Sequence, residues 1–477
     1  MLLSSLLAAL IAPHAKPAAI SREESARHFL LGVAHHLDGD SLRAAWEFTH
    51  AVHFDPTNAD AWLARAMVFE QSDQGNQAIA DLTRVIGLGE DADARLHRAY
   101  WLALRNDHRA ALADLTEVVE LDPRNEVAWR NRGIAHAALG EPELALSDLT
   151  RALEFDPDSA ESLRLRGAIR GQLGGYDESI RDLSAALTAT PDDGQALTWR
   201  GISHFAAGHY ESASADFAAA LRLDPTNYLA CVNRGQMHAH LGQDLKAEVD
   251  FARAIELKPD DPNAHLQRGD LHAKSGDSAT AVRCFTRVIA LSPKDATAYR
   301  KRAALNSADG KHAAQLADLM KVAELEPAAQ VFAELARLRL DCPDLALRDA
   351  KKAVELADKA WALSRIAAAR PFDPSYDQLR ASALATAGDH ERAIHVLDGM
   401  LSSEQLNAED RVRVSDHLEL YKRVAEQRRT ERTVVVKEEV VVRAQMELLP
   451  PLPPLSEVGK VPPGELPPIV IPEIGKN

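Results

Sequence analysis

Cysteine is scarce: Cys231, Cys284 and Cys342 are the only three in 477 residues. An odd, widely spaced set makes neither a disulfide framework nor a CxxC metal knuckle, so all three are expected to be small buried hydrophobes. Aromatics make up only 5% of the chain, so any core must be built from alanine and leucine. Positive charge is short too, with Lys+Arg 55 against Asp+Glu 71 and a net charge of -16. That balance argues against nucleic acid, whose phosphates want a basic surface. Catalytic motifs are missing: there is no GxSxG, no phosphate loop and no HExxH. No enzyme, cofactor, metal or small-molecule substrate is therefore expected.

Long apolar runs are missing as well. Leu2 to Ile11 is too short to span a bilayer but has the length of a signal-peptide core, with small residues at Ala12 and Ala15. No Lys or Arg precedes it. Residues 1–20 are read as a leader, which places the chain in an exported or periplasmic setting ahead of the cytoplasm. No transmembrane segment is expected.

What is present is a period. Pro123, Pro157, Pro191, Pro225, Pro259, Pro293 and Pro327 stand 34 residues apart. Glycines keep the same register at Gly133, Gly167, Gly201, Gly235 and Gly269, and again at Gly140, Gly174, Gly208, Gly242 and Gly276. So do the alanines Ala111, Ala145, Ala213 and Ala247, and the large residues Leu115, Leu149, Leu183, Phe217 and Phe251. Mid-helix glycine is tolerated where two backbones approach closely. The second glycine suits a left-handed helix end. Alanine lets the second helix touch the first, and proline stops the second helix or opens the next. One hairpin cannot bury its apolar face alone, so such units stack.

The unit Trp129, Gly133, His136, Ala145, Leu149, Ala152, Pro157 resembles the tetratricopeptide repeat family. The resemblance implies an all-α, right-handed superhelical solenoid of tandem 34-residue helix-turn-helix repeats that binds a protein or peptide. Nine units are expected over 21–327 and two degenerate ones over 328–403. In this family the first helices line a concave groove. The residues so implied as partner-binding are Leu63, Met67, Leu96, Tyr100, Arg130, Ile134, Arg164, Thr198, Ile202, Phe205, Val232 and Gln236. The lysine and asparagine clamp by which some members hold a terminal carboxylate is absent: Arg130, Arg164 and Arg300 are followed four residues on by Ile134, Ala168 and Ala304.

Two further registers stand out. Arginine recurs in the first helix (Arg65, Arg98, Arg132, Arg166, Arg200, Arg234, Arg268, Arg302), and aspartate in the second (Asp81, Asp114, Asp148, Asp182, Asp216, Asp250, Asp318). They are expected to pair between helices; the competing reading is an arginine stripe that binds ligand. Histidine recurs at His35, His136, His204, His238 and His272, a position read as polar-tipped packing rather than metal ligation.

At the C-terminal end, 404–429 reads as an amphipathic capping helix. Residues 430–449 hold the β-branched stretch Thr433 to Val442 and read as strand-like. Residues 450–477, with paired prolines, read as a disordered tail. The functional expectation is a non-catalytic scaffold holding a peptide or protein in its groove. The alternative is a structural subunit that assembles through the C-terminal segment.

Overall fold

A computed structural model describes residues 18–89, 91–366, 373–403 and 405–447. The proline-rich tail and nearly all of the leader lie outside them. The described residues contain α-helices, one short 3-10 turn and no strand. They fall into two compact units that part after Ser275.

The first unit holds α1 (Ala18–Leu37), α2 (Ser41–Phe54), α3 (Ala59–Gln71), α4 (Gly75–Leu88), α5 (Ala92–Leu104), α6 (His108–Leu121), α7 (Glu126–Ala138) and α8 (Pro142–Phe155). It continues through α9 (Ala160–Gln172), α10 (Tyr176–Ala189), α11 (Gly194–Ala206), α12 (Tyr210–Leu223), α13 (Tyr228–His240), α14 (Asp244–Leu257) and α15 (Pro262–Lys274). Odd-numbered helices are the first of each hairpin and even-numbered ones the second. Each helix packs on its neighbours in sequence, and most first helices also touch the next first helix.

The turns follow from local chemistry. Gly39, Gly140, Gly174, Gly208 and Gly242 end first helices at φ between 70° and 78° or at 82° to 86°, a left-handed conformation that costs a residue with a Cβ about 1–2 kcal/mol. Asp73 and Asn106 take the same conformation in the two units without glycine there. Proline neither ends the second helix nor opens the next. Asp55, Asp122, Asp156 and Asp224 cap the second helices, and proline follows in the turn. Asn58, Asp91, Asn125, Ser159, Asp193, Asn227 and Asp261 then cap the next helix, each side chain accepting a backbone N–H. These side chains satisfy donors that the helix leaves orphaned.

The mid-helix small residue meets a large side chain of the second helix: Gly133 and Gly167 lie against Leu149 and Leu183, and phenylalanine is met by glycine. Gly32, Gly201 and Gly235 lie against Phe48, Phe217 and Phe251, where an added Cβ would come within 2.6 to 2.8 Å of ring carbon. Where alanine stands instead, at Ala66 and Ala99, the residue sixteen positions on is Leu82 or Leu115. The interhelix alanines Ala44, Ala111, Ala145, Ala213 and Ala247 are fully buried. Ser179 replaces one of them, and its hydroxyl bonds that of Ser203 at 2.7 Å.

The second unit comprises α16 (Ser278–Leu291), α17 (Ala296–Ala308), α18 (His312–Leu325), α19 (Ala329–Asp341), α20 (Ala350–Ile366), α21 (Ser375–Thr386), α22 (His390–Leu401) and α23 (Ala408–Glu447). Val414 and Leu418 of α23 pack with Leu397, Met400 and Leu406. The stretch from Thr433 to Val442, read as strand-like, instead continues α23. β-branched residues lower helix propensity only by tenths of a kcal/mol each. Here a helix already under way, rich in Glu, Arg and Gln, carries them along, and among the described residues there is no sheet edge for them to join.

Candidate ligand groove

Positions two, five and nine of each first helix fall on one side, because residues three and four apart are helical neighbours. In α3 this side shows Asp60, Leu63 and Met67; in α5, Asp93, Leu96 and Tyr100. Met67 is 43% and Tyr100 54% exposed. Leu63, Leu96, Ile134, Ile202, Phe205 and Gln236 are half-buried. The face therefore carries apolar surface open to contact along α3, α5, α7 and α11.

Two residues expected on this face are not available to a partner. Thr198 is 2% and Val232 1% exposed. The capping residue Asn227 donates to Thr198 Oγ1 at 3.0 Å, and Thr198 donates to the Gly194 carbonyl at 2.7 Å. Val232 packs with Cys231, Ala254 and Ala264. In both cases a residue of the next unit covers position five, Asn227 at Thr198 and Ala264 at Val232, which a position count along one helix does not register.

The two arginines on the face are already paired. Arg130 Nη1 donates to both carboxylate oxygens of Glu126 at 2.9 Å, and its Nε lies 3.3 Å from Glu161. Arg164 lies 3.3 Å from Asp193 and donates to Gln195 at 2.9 Å. Between α3 and α5, Glu70 accepts from Trp101 Nε1 at 2.9 Å and pairs with His97 at 3.1 Å. That hydrogen bond, outweighing burial, raises the His97 pKa above its ordinary value.

On another side of the first helices the recurrent arginines meet the recurrent aspartates, as the register implied. Each pair is bidentate: Arg65 to Asp81 at 2.7 and 2.7 Å, Arg166 to Asp182 at 2.8 and 2.8 Å, Arg302 to Asp318 at 3.0 and 2.6 Å. Arg98, Arg132, Arg200 and Arg234 repeat the geometry. Hydrogen bonding to the aspartate holds Arg200, Arg234 and Arg302 above the usual arginine pKa. Arg268 has Cys284 in place of the aspartate in register and reaches Glu248 instead. A third group was missed at sequence level: Arg65, Arg98 and Arg302 also donate to Thr49, Thr83 and Thr286 on the second helix of the preceding hairpin. Each such arginine thus ties two repeats together. The signal was there as a threonine fifteen or sixteen residues before the arginine.

Histidines of the shared position lean on the same acids. His136 Nε2 lies 3.6 Å from Asp148, and His238 Nε2 3.9 Å from Asp250. Burial, the largest influence, lowers the pKa of His204 and His238. Among the described residues no group of three or more His, Cys, Asp or Glu is arranged to hold a metal ion, and no helix is long and apolar enough to cross a membrane.

Comparison with known proteins bears on the same repeats. A family model described as tetratricopeptide repeat matches residues 102–160, 165–227, 200–262 and 266–337. A tetratricopeptide repeat protein from Parabacteroides merdae is similar at 17% identity over 59% of this chain and 99% of its own, with a TM-score of 0.40. A thermophilic repeat protein from Thermus thermophilus shares 22% identity over 38% of this chain and 98% of its own, with a TM-score of 0.35. PilF of Pseudomonas aeruginosa shares 18% identity over 45% of this chain and 98% of its own, with a TM-score of 0.39. No curated protein matches the chain. The 34-residue hairpins, their glycine turns and the matched repeats make this chain a member of the tetratricopeptide repeat family.

Proposed function

We propose that the first unit is a non-catalytic scaffold that binds a peptide or a protein segment across its first-helix face. The observation that carries this reading is the exposure of Met67 and Tyr100 beside Leu63, Leu96 and Ile134 on a face whose arginines are neutralised internally. Exposed apolar residues in a contiguous row mark interaction surfaces, and a row spaced along successive helices suits an extended or helical peptide. The test is affinity capture from the native extract with the full chain and with Met67→Asp plus Tyr100→Ala. Both positions are open to solvent, so the variant is expected to fold. Loss of a captured protein supports the face as the site; undiminished capture moves the site elsewhere.

A second reading, assembly through the C-terminal segment, draws on α23, where Val434 and Val435 stand exposed beyond Arg429, whose guanidinium pairs with Glu391 of α22. Light scattering of the full chain separates the two. A monomer removes the assembly reading and leaves the first intact.

A further inference from the structure

Resting on the proposed groove, we infer that its occupant is a basic amphipathic segment: apolar side chains seated on the stripe, with lysine or arginine beside them. The stripe supplies the first half of that description through Leu63, Met67, Leu96 and Tyr100. Charge supplies the second. Asp60 and Asp93 occupy the same position of successive first helices, one helical turn before Leu63 and Leu96, so they border the stripe along one edge. Both are exposed, and neither is within ion-pair distance of a Lys or Arg among the described residues; the charge of Asp93 acts on His97 only as a smaller contribution beside Glu70. Each stands in the first turn of its helix, where the helix dipole favours a negative charge. That accounts for their compatibility with the helix. It does not consume the full charge they present, because the caps at Asn58 and Asp91 already satisfy N–H donors there.

An acidic occupant is disfavoured for the converse reason. The cations on the face, Arg130 and Arg164, are held by Glu126, Glu161 and Asp193. A carboxylate ligand would have to displace one of those acids. His97, beside Leu96, is held by Glu70, with smaller contributions from the charges of Asp93 and Asp91. Electrostatic complementarity of this kind sets specificity and association rate. The net charge of -16 works in the same direction over longer range, which is why the test must separate the groove from the general acidity of the chain.

The probes are two labelled synthetic peptides of about 15 residues with one amphipathic leucine pattern, polar positions lysine in one and glutamate in the other. Binding to the full chain is read by fluorescence anisotropy. Three double variants accompany the wild type: Asp60→Lys with Asp93→Lys, Met67→Ala with Tyr100→Ala, and Glu117→Lys with Glu120→Lys as a charge-matched change on α6. The expected result is binding of the lysine peptide about tenfold or more above the glutamate peptide, weakened about tenfold by either groove variant and less than about threefold by the α6 variant. Equal weakening by the α6 variant overturns the inference, since general acidity then explains the binding. Equal binding of both peptides, weakened by the Met67 and Tyr100 changes, overturns the basic preference and leaves the groove standing. Binding of neither peptide overturns both.

Discussion

Asp182→Ala is the sharpest probe of what the recurrent arginines do. Asp182 accepts from Arg166 Nε and Nη2 at 2.8 Å each and from Arg170 Nη1 at 2.7 Å. Its side chain is 7% exposed, that of Arg166 15% and that of Arg170 28%. Removing one partner of a buried pair costs about 3–5 kcal/mol, mostly because the other charge is left buried and unpaired. Arg170 can swing to water. Arg166 keeps only a 3.5 Å contact to Thr150, while its partial exposure lets some solvent reach it. The expectation is therefore about 2–4 kcal/mol, at the lower side of that class. Asp182→Asn, which retains one acceptor, should lose about half as much. The double variant Arg166→Met with Asp182→Leu should be less destabilised than Asp182→Ala, because only Arg170, the more exposed of the two arginines, is then left without its partner. Urea unfolding followed by circular dichroism reads all three. Stability in a repeat array is a sum of local and neighbour contributions, so the loss should show as an early transition of the first unit. An unchanged midpoint for Asp182→Ala would refute the structural pairing and return the arginine stripe as a ligand site.

Other consequences follow from particular contacts. Gly201→Ala should destabilise by about 1–3 kcal/mol despite alanine's better helix propensity, since its Cβ would meet Phe217 at 2.8 Å; adding Phe217→Leu should recover most of the loss in the same urea assay. A full loss that persisted in the double variant would fault the packing argument. His204 and His238 carry pKa values lowered by burial, so the unfolded chain takes up their protons first as pH falls. Their contribution is present above about pH 6.5 and is lost as pH falls through the folded value. His97 runs the other way: its pKa is raised by Glu70, and its contribution is full below about pH 6.5 and fades as pH rises through the folded value. Melting against wild type between pH 7 and 5 should show His238→Gln less sensitive to acid than wild type and His97→Gln more sensitive to acid than wild type. The three cysteines are buried, and burial pushes the Cys231 thiol up, so a thiol reagent should label none in the native chain and all three in denaturant.

Much of this architecture was legible because repetition turns weak local signals into a register. A single proline or glycine says little; seven at one spacing define the hairpin. The arginine and aspartate registers were likewise enough to anticipate the pairs, since a charge recurring in step with its opposite charge sixteen residues on points to internal pairing. What escaped was of two kinds. Side chains that act through backbone groups, such as the caps Asn58 and Asn125, were hidden because several residue types serve equally well at that position. The fate of Thr433 to Val442 depended on whether a helix already in progress would carry β-branched residues forward, and the local composition alone pointed to a strand.

The groove shows why register reads structure better than it reads function. A core position repeats because every unit faces the same neighbour, so Phe217 and Phe251 sit alike against Gly201 and Gly235. A ligand does not repeat, and a surface shaped for one should break the pattern. It does so here. Position five holds Leu63 and Leu96 in two units, Arg130 and Arg164 in the next two, then buried Thr198 and Val232. Counting positions treated all six as equivalent, and burial separates them. The change from apolar to internally paired to buried runs in one direction along the chain. It concentrates open apolar surface and unpaired acid at α3 and α5, so variants at Met67, Tyr100, Asp60 and Asp93 should weaken binding more than any change at Thr198 or Val232. A Val232→Ala variant that abolished peptide binding while leaving the fold and the Tyr100 surface intact would overturn that ordering.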